Sequence, residues 1–375
     1  MQLIIAGDLV PTRSNIHLFV AADVKSLLGD ELLMLWNQAD IRIFNLEVPL
    51  ADKENPIDKN GHSLTAPIST VDGIKALNPS LLTLANNHVL DQGTQGLRTT
   101  KNILKINKIP FVGIGENLSE ACKPYIIQKD TLKIGIYACA EHEFSIATKK
   151  SPGANPFDAL ETFDHIQSLK NKCDYVIVLY HGGKELYRYP SPYLQKVCRK
   201  LAQKGADLVI CQHSHCIGCF EEYEKSTIVY GQGNFLFDNM LNSEYWDTSL
   251  LIRVNINDDI NIEYIPIVKK ENSIRLADKV ESEVILKSFQ LRSKEVLEED
   301  FIEQKYNEFA KANIQAYLRK ISGFNKLIFF IDNRLFNGKL LNKIYNKKKL
   351  LALQNYIECE AHRELIIAGL KLEGK

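Results

Sequence analysis

The chain has 375 residues, of which 45% are hydrophobic and 25% charged, with 46 basic and 46 acidic side chains. This composition is typical of a globular protein. The length suits one large domain with an accessory segment, since single cores rarely grow beyond about 250–300 residues. Because the formal net charge is zero, no long-range basic field is expected, and nucleic acid is excluded as an expected partner.

The sequence shows neither a membrane span nor a signal peptide. No apolar run approaches the ~20 residues that a transmembrane helix needs. Met1 is followed almost at once by the strand-like run Leu3–Ala6, without the basic stretch and small-residue cleavage site of a signal peptide. We therefore predict a cytoplasmic protein without a transmembrane segment. In that reducing compartment its eight cysteines are expected to be free thiols.

Up to about residue 270, short β-branched runs alternate with helical patterns. The alternation predicts parallel βαβ units, and a tight turn at residues 257–259 predicts an antiparallel hairpin, hence mixed sheets. The strand-like runs are Leu3–Ala6, Ile41–Asn45, Leu81–Ala85, Pro124–Ile127, Lys133–Ala138, Tyr175–Tyr180, Asp207–Cys211, Thr227–Tyr230, Ser249–Asn255 and Ile260–Val268. The helical patterns are Asp23–Asn37, Val71–Leu77, Gly96–Asn107, Ala159–Lys172 and Ser191–Gly205.

The composition changes after about Asn272. Strand patterns stop there, Glu, Lys, Leu and Phe dominate, and apolar residues recur at helical spacing. We predict an α/β domain over residues 1–270 and a helical C-terminal extension over 271–375, with helices broken near Gly323 and Gly338.

Polar residues of the types that bind metals directly follow five of the strand-like runs. In open α/β sheets, ligands bind outside the carboxyl ends of strands. A buried carboxylate or imidazole is costly unless it is paired or bound to metal. Carboxylate, amide and imidazole groups suit Mn, Fe or Zn, and six of them suffice for two divalent metal ions with water completing the shells. The six residues are Asp8, Glu47, Asn87, His181, His213 and His215.

Each of these features has a structural alternative when it is taken alone. Asp8 could cap a turn, Asn87 could serve turn geometry, and His181 could be a core histidine. The spacing of Cys216–Cys219 fits half of a structural zinc site, although no second cysteine pair lies at a suitable distance. The run Lys347–Lys349 suits either a solvated helix face or contact with an anionic membrane surface.

Six motifs, in this order along the chain, resemble the CapA (poly-gamma-glutamate capsule) family. Single motifs of this kind are weak signals, whereas the ordered set is specific. The resemblance implies the calcineurin-like metallophosphoesterase fold, a four-layer αββα sandwich of two mixed sheets. The motifs are Gly7–Arg13, Asn45–Glu47, Ala85–Gly93, His181–Glu185, His213–His215 and Gly233–Asp238.

The resemblance also implies which residue binds which metal. Asp8 would bind one ion, Glu47 would bridge both ions and Asn87 would bind the second. The three histidines of the set would complete the two coordination shells. At four positions the chain departs from the family's usual residues, and these changes spare the ligands and alter the pocket wall. Gly182 stands where the family usually has Trp, Leu186 replaces an aromatic residue, and Cys211 and Ser214 replace Gly and Pro.

Five further residues receive catalytic or substrate-binding roles from the resemblance. His88 would be the general acid that protonates the leaving oxygen, and Asp91 would hold its ring in the useful tautomer. Arg13 would direct a planar cation toward a phosphate or carboxylate, with a part in catalysis and in substrate binding. Glu185 and Asn234 would line the pocket.

The sequence therefore predicts a two-metal-dependent hydrolase of phosphoesterase type that acts on an envelope or capsule precursor. The alternative is a non-catalytic, metal-dependent component that binds an anionic capsule polymer. A purely structural protein with unmetallated ligands is the third hypothesis. The expected partners are an anionic small molecule or capsule polymer, together with a protein partner for the helical extension.

Overall fold

The computed structural model describes residues 1–238, 243–257, 259–323, 330, 334–335 and 343–373. It contains two compact units, Met1–Glu303 and Gln304–Lys375. The first unit carries the β-sheets. The described residues of the second unit are largely helical, with helices at Lys347–Glu358 and Glu360–Glu373. No described helix has the length and apolar character needed to cross a membrane.

The first unit is built from short strands and helices. The strands are β1 (Gln2–Val10), β2 (Ile41–Leu46), β3 (Leu81–Thr83), β4 (Phe111–Val112), β5 (Ile114–Gly115), β6 (Tyr125–Lys129), β7 (Leu132–Ala140), β8 (Gly153–Ala154), β9 (Tyr175–His181), β10 (Leu208–Gln212), β11 (Phe220–Tyr223), β12 (Ser226–Val229), β13 (Asn234–Phe237), β14 (Thr248–Ile256), β15 (Ile260–Lys270) and β16 (Ser273–Leu276). Its helices are α1 (Ile16–Val20), α2 (Val24–Gln38), α3 (Val71–Ala76, after a 3₁₀ turn at Ile68–Thr70), α4 (Gly93–Ile106), α5 (Leu118–Ala121), α6 (Thr162–Lys170), α7 (Pro192–Gln203), α8 (Glu244–Asp247) and α9 (Lys279–Glu295). Helix α10 (Phe301–Ile321) begins at the end of this unit and lies mostly in the second unit.

Two mixed sheets form the centre of the first unit. The larger has the order β16-β15-β14-β1-β2-β3-β4, with β13 also paired to β1. The smaller has the order β11-β12-β10-β9-β7-β6. Strands β1, β2 and β3 run parallel, as do β9 and β10, so their carboxyl ends deliver residues to one edge of each sheet.

Alternation along the central strands places side chains in different layers. In β1, Leu3 and Ile5 pack in the core between the two sheets. Ile4, from the same strand, packs in the core that also contains Leu28 of α2 and Leu97 of α4. The outer face of the smaller sheet forms a third core with α6 and α7. Helices thus cover the outer faces of two facing sheets, which confirms the predicted four-layer αββα sandwich.

Strand β1 continues past Ala6, where the sequence predicted its end. β13 lies parallel to it, with Asp8 opposite Asn234. Two glycines permit this close pairing, since a Cβ on Gly7 would lie 2.0 Å from the carbonyl oxygen of Gly233. Asp8 therefore lies within a strand rather than after one. The sequence did not predict β13, because a four-residue strand paired to a distant segment leaves little local signal.

The sheet also continues beyond the last predicted strand. The predicted hairpin of β14 and β15 is confirmed as an antiparallel pair, although its turn residue Asp258 is outside the described residues. The prediction that strands end by Asn272 is wrong, because β16 follows and pairs with β15. Helix α9 then packs Phe289 into the core between the sheets, so part of the predicted extension belongs to the first compact unit. The domain boundary predicted between residues 270 and 271 stays a prediction.

The predicted breaks in the tail fall on two glycines. Gly323 follows the end of α10 and has a φ of +70°, a conformation that ends helices readily when the residue is glycine. Gly338 lies outside the described residues.

Candidate metal centre

The structure brings the six predicted ligands to one place. Asp8 lies in β1, Glu47 and Asn87 lie on the loops after β2 and β3, His181 ends β9, and the other two histidines follow β10. All six side chains are buried. We call this set the ligand cluster: Asp8, Glu47, Asn87, His181, His213 and His215.

Glu47 belongs to two groups of donor atoms within the ligand cluster. Ligand atoms of Glu47, His181 and His213 all lie within 4.8 Å of one another, and so do those of Asp8, Glu47 and His215. His181 Nε2 lies 3.1 Å from Glu47 Oε1 and 3.0 Å from Asn87 Oδ1. A carboxylate shared by two groups has the arrangement that a bridging ligand requires.

The donor atoms of the ligand cluster are short of partners inside the protein. Within the part of the chain that the structure describes, neither carboxylate oxygen of Glu47 has a hydrogen-bond partner, and neither does Nδ1 of His213. A buried polar atom without a partner is costly, and a buried charge more so. Divalent cations would satisfy these atoms, so the residues fit a metal centre.

Burial sets the protonation of the ligand cluster in the absence of metal. Burial, reinforced by the neighbouring charge of Asp8, raises the pKa of Glu47 to about 8. Burial also lowers the pKa of His181, and it lowers that of His213 well below the usual value. Neutral imidazoles carry the free lone pairs that metal binding needs.

The loop after β10 has an unusual backbone. His213 and His215 have φ values of +79° and +53°, in the left-handed region that costs a residue with a side chain roughly 1–3 kcal/mol. The backbone N–H of His213 donates to Asp8 Oδ2 over 3.2 Å. Helix α9 supports the residues that follow this loop, because Arg292 Nε donates to the carbonyl oxygen of Gly218 over 2.7 Å.

Two asparagines orient the ligands. Asn45, at the end of β2, donates through Nδ2 to Asp8 Oδ1 over 2.7 Å, and the same nitrogen lies 3.3 Å from His181 Nδ1. Asn234 Oδ1 lies 2.9 Å from His215 Nδ1, so this predicted pocket residue contacts a predicted ligand. Sequence reasoning gave Asn45 no role, although its place at a strand end beside Glu47 was a usable signal.

His88, which is partly exposed, and the buried Asp91 form a pair beside the ligand cluster. His88 Nδ1 lies 2.6 Å from Asp91 Oδ2, and the charge of His88 acts on both Glu47 and His213. Lys59, which sequence reasoning missed, pairs its ammonium with Asp91 Oδ1. Lys59 lies in a polar stretch whose sequence predicts an exposed loop, so no local pattern indicates that its side chain is buried.

Arg13 and Glu185 are exposed. Arg13 follows β1 and forms no hydrogen bond or ion pair with any residue that the structure describes. A carboxylate oxygen of Glu185 lies within 4.8 Å of ligand atoms of His213 and His215, although half of this side chain is accessible to solvent. Both residues therefore offer charge to an incoming molecule.

The wall of the site differs from the family pattern at Gly182. A Cβ at this position would lie 2.6 Å from Cγ of Glu141, whose carboxylate accepts a hydrogen bond from the N–H of Gly183 over 3.1 Å. Glu141 thus fills the space next to Gly182 and leaves no room there for a Trp in this arrangement.

The zinc alternative at the cysteine pair gains no support. Cys216 and Cys219 are both fully buried, and burial raises the pKa of Cys216 to about 11. A thiol that resists deprotonation is a poor metal ligand. Among the residues that the structure describes, the groups able to hold a metal contain only His, Asp and Glu.

Comparison with known proteins places this site in a family. The model of the family "Bacterial capsule synthesis protein PGA_cap" matches residues 2–239, a region that contains all six motifs and the whole ligand cluster. The chain belongs to the PGA_cap family. The matched region ends before β14, so β14–β16 and the helices that follow lie outside it.

Two curated relatives agree with this assignment. The chain is 32% identical over 203 residues to the capsule biosynthesis protein CapA of Bacillus anthracis, a match that covers 52% of this chain and 49% of that protein. It is 30% identical over 210 residues to the PGA biosynthesis protein CapA of Bacillus subtilis (strain 168), covering 54% and 55% respectively. The match thus spans about half the length of these relatives.

Solved structures resemble this PGA_cap protein only distantly. A phosphatase from Mycoplasma pneumoniae aligns with 72% of this chain and 94% of its own, at 16% identity and a TM-score of 0.43. The NAD nucleotidase of Haemophilus influenzae aligns with 78% of this chain and 62% of its own, at 14% identity and a TM-score of 0.43. Similarity at this level carries no conclusion about activity.

Proposed function

We propose that this PGA_cap protein is a two-metal-dependent hydrolase of phosphoesterase type that acts on an anionic envelope or capsule precursor. The observation that carries the proposal is Glu47, a buried carboxylate between two groups of ligand atoms with neither oxygen hydrogen-bonded. A carboxylate at that depth is costly unless cations compensate it. The capsule context comes from the names of the two CapA relatives.

The ligand cluster divides into two metal-binding groups. Asp8, Glu47 and His215 would hold one ion, and Glu47 with Asn87, His181 and His213 would hold the other. This donor set suits Mn, Fe or Zn. When bound, such ions would polarise a phosphoryl oxygen and lower the pKa of a bound water molecule.

The residues around the ligand cluster supply the proton and bind the substrate. Water adds to phosphorus as hydroxide after losing a proton to solvent, the bond to the leaving oxygen breaks, and that oxygen takes the Nε2 proton of the His88 imidazolium, which solvent then replaces. Asp91 accepts the Nδ1–H of His88 over 2.6 Å, which leaves Nε2 as the nitrogen that donates. The exposed cation of Arg13 would attract the substrate anion, Glu185 lies beside His213 and His215, and Asn234 contacts His215.

The test of the proposal is hydrolysis by the protein loaded with Mn²⁺, measured on a phosphodiester and a phosphomonoester. His88→Ala is expected to lower kcat by about 10²–10⁴-fold, the usual contribution of a general acid, with unchanged metal content. His165→Ala is the matched control, because His165 lies on α6 against Tyr137, away from the ligand cluster. A metal-loaded protein that hydrolyses no ester, or a fully active His88→Ala variant, contradicts the proposal.

A binding role is the second candidate, and it is favoured by the cation of Arg13, which pairs with none of the residues that the structure describes. In this case the site retains a polymer carboxylate or phosphate without turnover. An anionic capsule polymer such as poly-gamma-glutamate would then bind in the presence of metal and be recovered intact. Arg13→Met would weaken that binding, whereas Arg98→Met would not, since Arg98 already pairs with Glu116. Shortened polymer after incubation argues for the hydrolase instead.

We also propose a cytoplasmic location, because all eight cysteines are free and a reducing compartment keeps them so. Fractionation of the native host followed by alkylation of free thiols tests this. Recovery of the chain outside the cytoplasm with oxidised cysteines would contradict it.

A further inference from the structure

A buried lysine reaches the His88–Asp91 pair from the loop between β2 and α3. The ammonium of Lys59 pairs with Asp91 Oδ1 and lies 3.4 Å from His88 Nδ1. Only 3% of the Lys59 side chain is exposed. Lysine is rarely buried this deeply unless its charge is paired, so the position calls for an explanation.

Lys59 completes the set of partners around the Asp91 carboxylate. The Oδ2 atom of Asp91 accepts the backbone N–H of Leu64 over 2.6 Å and lies 2.6 Å from His88 Nδ1. The Oδ1 atom of Asp91 accepts a hydrogen bond from the ammonium of Lys59. The side chain of Asp91 is fully buried, so removal of the lysine would leave an uncompensated charge in the interior.

Hydrogen bonds hold the loop that carries Lys59 against the segment that contains Asp91 and Gln92. The N–H of Ile57 donates to the carbonyl oxygen of Asp91 over 3.0 Å. The N–H of Asn55 donates to Gln92 Oε1 over 2.6 Å, and Gln92 Nε2 donates to the carbonyl oxygen of Leu64 over 3.0 Å. The loop is therefore held on both sides of Lys59, so its backbone is already ordered where the ammonium meets Asp91.

We propose that Lys59 is a positioning residue for His88. It neutralises Asp91 and holds that carboxylate so that Oδ2 faces the Nδ1–H of His88, which fixes the ring and leaves Nε2 for the leaving oxygen. Lys59 acts through Asp91 and does not donate to the substrate. The catalytic consequence rests on the proposed hydrolase function, whereas the orientation of His88 is a property of the folded chain.

The first test is spectroscopic and needs no turnover. In the zinc-loaded full chain labelled with ¹⁵N-histidine, the His88 ring, assigned with His88→Ala, should keep a proton on Nδ1 whether or not Nε2 also carries one. Lys59→Met should shift or broaden these ring signals, and Lys59→Arg should restore them. Lys101→Met is the matched control, because Lys101 is also buried and paired, with Glu116 and Glu120, and it should leave His88 unchanged.

The second test compares esters that differ in their leaving group. Protonation matters most for poor leaving groups, so Lys59→Met should lower kcat about 10–100-fold on an alkyl phosphate ester, within the usual general-acid contribution. On a p-nitrophenyl ester the loss should be under about threefold, because that oxygen departs without a proton. In a His88→Ala background, Lys59→Met should have no further effect, as double-mutant cycles require of residues that act together.

The outcomes separate this inference from the proposed function. If no ester is hydrolysed but Lys59→Met alters the His88 signals and Lys101→Met does not, the positioning role stands and the hydrolase proposal fails. If Lys59→Met leaves the His88 ring signals unchanged, the inference is overturned. Equal rate losses on both ester types, or a further loss in the His88→Ala background, also overturn it.

Discussion

Two buried polar groups lie side by side in this protein, and they differ in how completely the chain satisfies them. The first is the ligand cluster. The second is the proton-donor group, which consists of His88, Asp91 and Lys59. Both oxygens of Asp91 have partners supplied by the chain, whereas among the described residues neither oxygen of Glu47 accepts a hydrogen bond, although Oε1 lies 3.1 Å from His181 Nε2. Since buried carboxylates are rarely left without partners, the contrast indicates that the ligand cluster is built for cations that the chain does not itself supply.

Glu47→Gln is the substitution from which we expect the largest effect on the ligand cluster. It removes the shared carboxylate, and we expect the affinity for divalent metal to fall by more than about 100-fold, beyond the 10–100-fold usual for groups outside the coordination shell. The measurement is metal titration by calorimetry. Glu221→Gln is the matched control, because Glu221 is equally buried but pairs with Arg199 over 2.7 Å. That variant should lose stability and keep its metal, and unchanged metal affinity in Glu47→Gln would contradict the comparison.

The same carboxylate predicts how pH affects the metal-free protein. The pKa of Glu47 is raised from 4.5 to about 8 in the folded state, so folding opposes its ionisation. This cost is absent below about pH 4.5 and grows as the pH rises to about 8. Over that range we expect the free energy of unfolding to fall by roughly 3–5 kcal/mol relative to Glu47→Gln. Urea unfolding with a chelator between pH 5 and 8.5 measures it, and parallel profiles for the two proteins would contradict the prediction.

A smaller effect is expected from the asparagine that orients the ligands. Asn45→Ala removes the donor to Asp8, and we expect metal affinity to fall by about 10–100-fold, as for other groups that position ligands. Asn155→Ala is the control, because Asn155 is also buried and donates to the carbonyl oxygen of Ala138 over 2.8 Å. Both variants should lose stability, and only Asn45→Ala should lose metal affinity. Similar affinities in the two variants would contradict the assigned role.

The smallest effect is expected at the cysteine pair. Replacement of Cys216 and Cys219 by alanine should leave the metal content of the purified protein unchanged, because both thiols are buried and burial raises the pKa of each. Elemental analysis of the variant and the parent measures this. Loss of one zinc ion per chain would support the structural zinc site at the cysteine pair. It would also weaken the contrast between the two groups.

The ligand cluster was accessible to sequence reasoning because its members lie near or just after the carboxyl ends of buried strands. Parallel strands bring their carboxyl ends together, so chain position alone predicted that Asp8, Glu47 and His181 would meet. The alternation of strands and helices predicted an α/β fold with mixed sheets, and the resemblance carried by the ordered motifs implied the four-layer sandwich.

The proton-donor group was only partly accessible. His88 and Asp91 lie in one motif, whereas Lys59 comes from a polar loop whose path is set by hydrogen bonds to the backbone and side chains of Asp91 and Gln92. Such contacts leave no periodic pattern. Strands β13 and β16 were missed for a related reason, since pairing with distant segments, rather than local propensity, decides whether four residues form a strand.

Anomalous diffraction from crystals of the metal-loaded protein tests the central claim most directly. Data collected at the Mn, Fe and Zn absorption edges should give two peaks about 3.5–4 Å apart, both in contact with Glu47, one beside Asp8 and the other beside His213. A peak at a different place in the fold, or none at saturating metal, would contradict the account.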